Sequence, residues 1–374
     1  MTKSELLEKM VLDFSQKVVA PLAKHLDESG DFPSNTVREM AKYGLMGLPF
    51  PREYGGVGAS YEDYINTVRI LGRYCATTSV ILSAHTSLCA APIFEFGNKQ
   101  LKEKYLPKLL SGEWLGAFAL TEPNAGTDSA SQQTKIVDKG DYYEVTGSKI
   151  FITNAGYADL YIIFGMTNPE LGTRGISALV MEANSNGFSV GPKENKMGIR
   201  GSSTCELVFD HVKVPKENLL GRLNGGFRVA MQTLDGGRIG IAAQALGIAE
   251  GALERTVEYV KTRKQFGRPL SAFQNTQFQI ADMAVEIEAA RLLVFNAAKL
   301  KQDGKDYSQA AAMAKLYASR VAVKVSDVAI QLHGGYGYIR DYEVERFLRD
   351  AKITEIYEGT SEVQRMVISG KVLR

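Results

Sequence analysis

The hydrophobic pattern of this chain changes its period twice, and this change restricts the possible folds more than any other sequence feature. Over residues 1–113, apolar side chains recur at helical intervals, beginning with Leu7, Val11, Phe14 and Val18. Glycine and proline interrupt the pattern, as turns between helices require. The first part of the chain is therefore predicted to be an N-terminal α-helical domain.

Residues 114–224 have a strand-like pattern. Short runs rich in β-branched and aromatic residues alternate with turn residues there, at 142–145, 150–152, 160–164, 176–180, 206–209 and 211–214. Runs of this length and composition are typical of strands. We expect a middle antiparallel β domain of the barrel or sandwich kind.

The helical period returns over residues 225–374. One helix carries a stripe of small and apolar residues at Ile241, Ala245, Ile248 and Ala252. A second carries Phe278, Ala281, Val285, Leu292 and Phe295, and residues 308–331 predict an alanine-rich third. We expect these stripes to face the core of a C-terminal four-helix bundle. The predicted fold class is α+β multidomain, in the order α, β, α.

The composition excludes several classes of protein. The chain has 44 Lys and Arg residues and 42 Asp and Glu residues, which gives a net charge of +2. A protein that binds nucleic acid usually has a clear excess of basic residues, so this function is not expected. The three cysteines lack the spacing of a disulfide framework, and the four scattered histidines predict no metal site. The N-terminus is charged and no long apolar run occurs, so we expect no secretion signal and no membrane insertion. A reducing, cytoplasmic location fits best.

The glycine motifs of common nucleotide-binding folds are absent. Gly56-Val57-Gly58 lacks the third glycine of a dinucleotide-binding turn, and Gly370-Lys371 lacks the rest of a phosphate-binding loop. Hydride transfer to a nicotinamide held by a dinucleotide fold is therefore not expected. Any cofactor must be held in another way.

Four segments carry residues suited to binding, although each also fits an ordinary structural role. Segment 118–128 offers hydroxyls and a glycine to a flat heterocycle and a phosphate, but equally fits a loop that leaves a strand. Segment 149–154 has the composition of a core strand. Arg263 suits a pyrophosphate, or only the dipole at a helix end. The glycines of segment 331–338 exceed what a plain turn demands.

A fifth segment, 356–362, contains the candidate for acid–base chemistry. Glu358 lies among apolar and aromatic neighbours just before Gly359. If this carboxylate is buried, its pKa rises toward neutrality and it becomes a competent general base. A solvated glutamate at a helix cap is the alternative.

Together, and in this order, the five segments resemble the acyl-CoA dehydrogenases, flavin enzymes that desaturate acyl thioesters between the α and β carbons. The resemblance covers essentially the whole chain. Its motifs are Thr-Glu-Pro…Gly-Thr-Asp at 121–128, Ile-Thr-Asn at 152–154, Arg…Phe-Gly at 263–267, Gln…Gly-Gly at 331–335 and Tyr-Glu-Gly-Thr-Ser at 357–361. Residues 234–242 and 350–374 look most like the short-chain, butyryl-CoA branch.

This resemblance implies a role for each matching residue. Glu358 would remove the α-proton while the β-hydride passes to flavin N5. The residues implied to bind FAD are Phe118, Leu120, Thr121, Gly126, Thr127, Phe151, Ile152, Thr153, Arg263, Phe266, Gln274, Gln331, Leu332, His333, Gly334, Gly335, Thr360, Ser361 and Glu362. Those implied to contact the acyl-CoA are Thr127, Asp235, Gly236, Gly237, Arg238 and Gly359. Some relatives carry the base at the position of Gly237, where a glycine cannot serve.

The resemblance also implies partners. Electrons would pass to an electron-transferring flavoprotein, and the chain would assemble as a homotetramer, a dimer of dimers in which Arg263 and Gln274 reach the FAD of a neighbouring subunit. Two alternatives stay open: an enoyl-CoA reductase of the same fold, and a catalytically silent acyl-CoA-binding oligomer. An acyl-CoA oxidase fits less well, because that group carries a further C-terminal region.

Overall fold

The computed structural model describes residues 1–373, and its first part consists of helices. Helices α1 and α4 each begin with a capping box, in which a hydroxyl and a carboxylate satisfy free backbone N–H groups. π-helical turns follow α1 and α5, at Ser15–Val19 and Ala84–Ala90. The N-terminal helices are α1 (Lys3–Phe14), α2 (Ala20–Ser29), α3 (Ser34–Lys42), α4 (Tyr61–Tyr74), α5 (Ala76–Ser83), α6 (Ala91–Phe96) and α7 (Lys99–Ser111).

Seven strands form one sheet in the middle of the chain. They are β1 (Gly116–Ala119), β2 (Lys135–Asp138), β3 (Tyr142–Thr153), β4 (Leu160–Met166), β5 (Ile176–Glu182), β6 (Phe188–Lys193) and β7 (Thr204–Pro215). Their order is β1-β4-β2-β3-β7-β6, and β5 pairs with β4. The sheet is mixed rather than wholly antiparallel, because β1 pairs parallel with β4. The chain between these two strands contains β2 and β3, which supplies the crossover that parallel pairing needs.

Long helices make up the rest of the chain. They are α8 (Gly226–Thr262), α9 (Gln274–Gln302), α10 (Ser308–His333), α11 (Gly335–Tyr338), α12 (Val344–Lys352) and α13 (Ser361–Val372). A short hairpin of β8 (Lys264–Gln265) and β9 (Arg268–Pro269) joins α8 to α9. The predicted stripe on α8 is fully buried. The order of helices, sheet and helices confirms the predicted fold class.

The apolar stripe predicted for the core side of α9 lies on the outside of the chain. Phe278, Val285 and Leu292 are 58%, 70% and 65% exposed, whereas Met283 and Val294 are buried. The prediction that this stripe packs in the core was wrong for these three exposed residues, whereas Phe295 of the same stripe packs partly buried against the core. The reason is that α9 carries apolar residues on two faces. Sequence periodicity alone does not tell which of two apolar faces the chain covers.

The helices from both ends of the chain share one hydrophobic core. Val11, Tyr64 and Leu71 of the N-terminal helices belong to the same buried cluster as Ile248 and Val294 of the C-terminal helices. A second cluster joins α7 and the start of α8 to one face of β4 and β5. The cleft between these packed layers is where the candidate site lies.

One stretch, Ala76–Phe96, is long and apolar enough to cross a membrane by length and composition. It is 78% buried inside the protein, so its apolar surface is already used in packing.

Candidate active site

A cavity of about 200 Å³ lies where the sheet, the end of α5, α8 and the loop before α13 meet. It brings together predicted residues from four distant parts of the sequence. Its lining consists of Val80, Ala84, Leu88, Phe118, Leu120, Thr121, Gly126, Thr127, Ser129, Phe151, Ile152, Thr153, Met231, Leu234, Arg238, Tyr357, Glu358, Gly359 and Val363. Most of these side chains are apolar, and the few polar groups are hydroxyls, one arginine and one carboxylate, as in a small-molecule site.

Glu358 enters this cavity from a strained turn. Its φ of 52° and the φ of 91° at Gly359 both lie in the left-handed region, which a glutamate rarely adopts. Two side chains hold the turn: Lys315 Nζ donates to the Gly359 carbonyl at 2.6 Å, and Gln364 Nε2 donates to the same oxygen at 2.8 Å. Backbone strain retained in this way is typical of functional sites.

The surroundings of Glu358 favour an acid with a near-neutral pKa. Its Oε2 is buried and has no hydrogen-bond partner among the described residues. Burial raises the pKa of Glu358 to about 7, against the opposing charges of Lys315 and Arg238. The sequence analysis required a buried carboxylate with a raised pKa for Glu358 to act as a general base, and the structure meets this requirement.

Gly237 leaves the space that the carboxylate occupies. A Cβ at this position of α8 would lie 2.1 Å from Glu358 Oε2 and 2.7 Å from Leu88 Cδ2. The backbone of α8 thus passes close behind the carboxylate, and a larger residue there would displace it. Gly237 contributes space rather than a functional group.

The other acyl-CoA contacts predicted on α8, which are Asp235, Gly236 and Arg238, flank Gly237 along the chain. Arg238 is buried, lines the cavity and pairs with Asp235. Burial raises the pKa of Asp235, while the Arg238 charge opposes that rise. The Gly236 carbonyl accepts a hydrogen bond from the Tyr61 hydroxyl at 3.2 Å.

A buried lysine fixes the wall formed by Leu120 and Thr121. Lys149 Nζ on β3 donates to the Leu120 carbonyl at 3.0 Å, to Glu122 Oε1 at 2.8 Å and to Gln132 Oε1 at 3.1 Å. Burial lowers the pKa of Lys149 to about 8, against the charge of Glu122. The sequence analysis did not predict this role for Lys149. The feature that could have indicated it is the presence of a lysine within an otherwise strand-like run.

Phe151 stands at a break in the sheet. Its φ is 59°, and the pairing of β3 with β7 shifts register between Lys149 and Ile152. The ring is 60% exposed and lies at the cavity. With the nearby threonine hydroxyls and the open space beside Gly126, where a Cβ would meet nothing within 4 Å, this wall suits a flat aromatic ligand.

A second group of predicted residues lines a separate groove. Arg263 and residues 331–335 border an open groove of about 430 Å³, in which the Arg263 guanidinium lies 5.2 Å from the Tyr336 ring centre. His333 stacks on Tyr259 with ring centres 4.1 Å apart. These residues do not line the Glu358 cavity of the same chain.

Five of the residues predicted to bind FAD line neither space within residues 1–373, and the predicted acyl-CoA contacts Asp235, Gly236 and Gly237 do not line them either. Phe266 is 94% exposed at the tip of the β8–β9 hairpin, and Gln274 begins α9. The other three begin or cap α13: Thr360 accepts from the Val363 N–H at 3.4 Å, Ser361 Oγ donates to the Glu355 carbonyl at 3.5 Å, and Glu362 pairs with Arg365 at 3.2 Å.

Within the described residues, no group of three or more His, Cys, Asp or Glu side chains could hold a metal ion. All three cysteines are free and buried.

Family models match nearly the whole chain. The N-terminal domain of acyl-CoA dehydrogenase matches residues 2–113, the middle domain matches 117–212 and the C-terminal domain matches 224–373. Together with the fold and the buried carboxylate, these matches define an FAD-dependent class of acyl thioester enzymes. The chain belongs to the acyl-CoA dehydrogenase family.

Close relatives include both dehydrogenases and a reductase. The short-chain specific acyl-CoA dehydrogenase of Clostridium acetobutylicum is 57% identical over 372 residues, covering 100% of this chain and 98% of that protein. Acryloyl-CoA reductase (NADH) of Anaerotignum propionicum is 46% identical over 374 residues, covering 100% and 95%.

Two solved structures superimpose closely on this chain. Butyryl-CoA dehydrogenase from Megasphaera elsdenii matches with a TM-score of 0.99 at 51% identity, covering 100% of this chain and 99% of that chain. A chain from a structural study of the electron transferring flavoprotein of Acidaminococcus fermentans matches with the same TM-score, identity and coverage.

Proposed function

We propose that this chain is a short-chain acyl-CoA dehydrogenase that converts a substrate such as butyryl-CoA into the trans-2-enoyl-CoA. The observation that carries the proposal is the buried, unpartnered Oε2 of Glu358 in an apolar cavity, where burial raises the pKa of the carboxylate to about 7. Such a group takes up a proton from carbon at neutral pH. The short-chain and butyryl-CoA relatives support the choice of substrate.

The cavity fits the ring system of FAD. Residues 118–127 and 151–153 would hold the ring, since they combine an aromatic face with hydroxyls and the open space at Gly126. Arg263, Phe266, Gln274 and residues 331–335 would contact the remainder of an FAD bound to a neighbouring subunit. Thr360, Ser361 and Glu362 would close the site. When bound, FAD accepts the hydrogen and the electron pair that leave the β carbon.

The chain's own residues would carry the proton transfer. Glu358 Oε2 takes the α-proton, and the electron pair of the broken C–H bond forms the new double bond. The N–H of Glu358 has no acceptor among residues 1–373, so it is available to the thioester oxygen, where it would stabilise negative charge. Leu88, Val80 and Ala84 keep water from the carboxylate.

The first test is spectroscopic. Purified protein should carry a flavin whose visible absorbance bleaches when butyryl-CoA is added without oxygen. Glu358→Gln should keep the fold and FAD but lose turnover by about 10³-fold or more, because the base is removed. Glu355→Gln is the matched control, since Glu355 pairs with Lys352 at 2.7 Å outside the cavity lining. Normal turnover by Glu358→Gln would contradict the proposal.

The second candidate is an enoyl-CoA reductase, favoured by the relative from A. propionicum. The same residues would then act in reverse, with protonated Glu358 donating to the α carbon. The flavin potential measured in the presence of butyryl-CoA and crotonyl-CoA separates the two directions. A potential well below that of the thioester couple favours the reductase.

The proposed partners follow from the same family. An electron-transferring flavoprotein would take the electrons, and the structural match to a chain from such a study supports it. A homotetramer would cover the exposed stripe of α9 and bring Arg263 to a second cavity.

The proposed location is the cytoplasm. All three cysteines are free and buried, which is typical of proteins in a reducing compartment.

A further inference from the structure

Lys315, in the first half of α10, is a buried cation without a contacting anion. Its side chain is fully buried, and its hydrogen bond goes to a neutral group, the Gly359 carbonyl, at 2.6 Å. Among residues 1–373, no side-chain carboxylate lies within 4.0 Å of its Nζ. A buried charge is costly unless an opposite charge compensates it. The group that compensates this charge most therefore indicates what Lys315 does.

That group is Glu358. Glu358 does most to keep Lys315 charged, Glu355 and Glu362 contribute less, and Arg238 opposes them. Lys315 in turn does most to keep Glu358 ionised. Burial nevertheless lowers the pKa of Lys315 to about 8. The Glu358 Oε2 has no hydrogen-bond partner. Lys315 therefore stabilises the negative charge of Glu358 electrostatically, through space, rather than by a direct hydrogen bond. Each group is the other's principal counter-charge.

The remaining groups around Glu358 do not replace Lys315. Arg238 on α8 is the second cation, but it is already paired with Asp235. Tyr64 on α4 and Tyr357 beside the base both have a pKa raised by burial, so they stay neutral. Removing Lys315 would leave Glu358 with one cation that is already neutralised.

We propose that Lys315 is a positioning residue for the base: it anchors the strained Glu358-Gly359 turn through the Gly359 carbonyl, and its charge keeps Glu358 ionised until the substrate proton arrives. This inference rests on the proposed function of Glu358. The two contributions are separable, because glutamine at position 315 keeps a hydrogen-bond donor without the charge, whereas methionine removes both.

The first measurement is the pH profile of kcat/KM with butyryl-CoA. Because a nearby cation lowers the pKa of a carboxyl, Lys315→Gln should move the acid limb up by about one pH unit or more. Lys315→Met should give the same shift and a lower plateau, because the Gly359 carbonyl then keeps only the hydrogen bond from Gln364. Lys324→Met is the control: Lys324 lies on α10 too, but it is 60% exposed and pairs with Glu286. An unshifted limb in both Lys315 variants would overturn the proposal.

The second measurement does not need turnover. Thermal unfolding of the holoenzyme is compared for wild type, Lys315→Gln, Glu358→Gln and the double variant. At about pH 7.5, between the pKa values of about 7 and about 8, Lys315→Gln should lower the unfolding temperature more in the wild type than in Glu358→Gln. At about pH 5 the two losses should become equal, because Glu358 is then protonated.

The two measurements separate the two ideas. Equal losses at both pH values would show that Lys315 and Glu358 are not coupled, and would overturn the role of Lys315 whatever the enzyme's substrate. A wild type without activity on acyl-CoA would instead contradict the proposed function, while the unfolding cycle would still decide the coupling of the two groups.

Discussion

At the scale of single residues, the geometry around the base depends on an absent side chain. Gly237→Ala places a Cβ 2.1 Å from Glu358 Oε2, so the carboxylate must move. We expect turnover to fall about a hundredfold with FAD content unchanged, because a displacement of this size misaligns the base. Steady-state kinetics measure the turnover, and flavin absorbance measures the FAD content. Gly370→Ala is the control, since a Cβ there meets nothing within 4 Å.

A Gly237→Ala enzyme with wild-type turnover would show that the cavity tolerates a moved carboxylate. The sequence singled out Glu358 as the candidate base, because it is an acidic residue next to a glycine in apolar surroundings and matches the motif of the family. Lys315 and Lys149 were not. Their partners include backbone carbonyls 44 and 29 residues away, and no local pattern reveals such contacts. From the sequence alone, each lysine resembles a solvated charge.

At the scale of elements, Lys149 ties β3 to the loop that follows β1. Lys149→Met fills a similar volume but leaves Glu122, which is 6% exposed, without its cation. Breaking a buried pair from one side costs about 3 kcal/mol of folding free energy. We therefore expect a lower unfolding temperature and, because the Leu120 carbonyl loses its donor, weaker FAD retention. Chemical denaturation and the flavin-to-protein ratio after gel filtration measure these effects.

Lys139→Met is the control for this change, because Lys139 is 41% exposed and pairs with Glu144 at 3.2 Å. Equal stability and flavin content in Lys149→Met and Lys139→Met would exclude the proposed anchoring role. The comparison is made at about pH 6, where the pair is charged, because burial lowers the pKa of Lys149 to about 8, and the charge of Lys149 holds the pKa of Glu122 below its ordinary value against the effect of burial.

The elements that the sequence predicted are the long and strongly periodic ones. Helices α8 and α10 and strands β4 and β5 match their apolar runs. Strands β1, β2 and β6 have only four, four and six residues. They contain glycine, lysine or proline, so their pairing depends on neighbouring strands rather than on their own composition. For the same reason, the parallel pairing of β1 with β4 is a property of the assembled sheet.

At the scale of the whole molecule, the residues proposed to hold FAD lie in two separate places on one chain. The Glu358 cavity and the Arg263 groove have no lining residue in common. Phe278, Val285 and Leu292 lie seven residues apart on α9, and all three are more than half exposed. Exposed apolar patches are typical of interfaces, and we propose that this stripe is one. Assembly of several copies would explain both features, because it covers the stripe and supplies Arg263 to another subunit's cofactor.

Charges placed in this stripe test that assembly. Val285→Glu combined with Leu292→Glu should shift the particle mass, measured by light scattering after gel filtration, from the wild-type oligomer to a smaller species. The free-energy cost of burying two carboxylates in an apolar contact exceeds the free energy that this contact contributes to association. The smaller species should also retain less FAD, because the neighbouring Arg263 is lost. Val137→Glu, at a 43% exposed site on β2, is the control. Unchanged mass in the double variant would place the interface elsewhere.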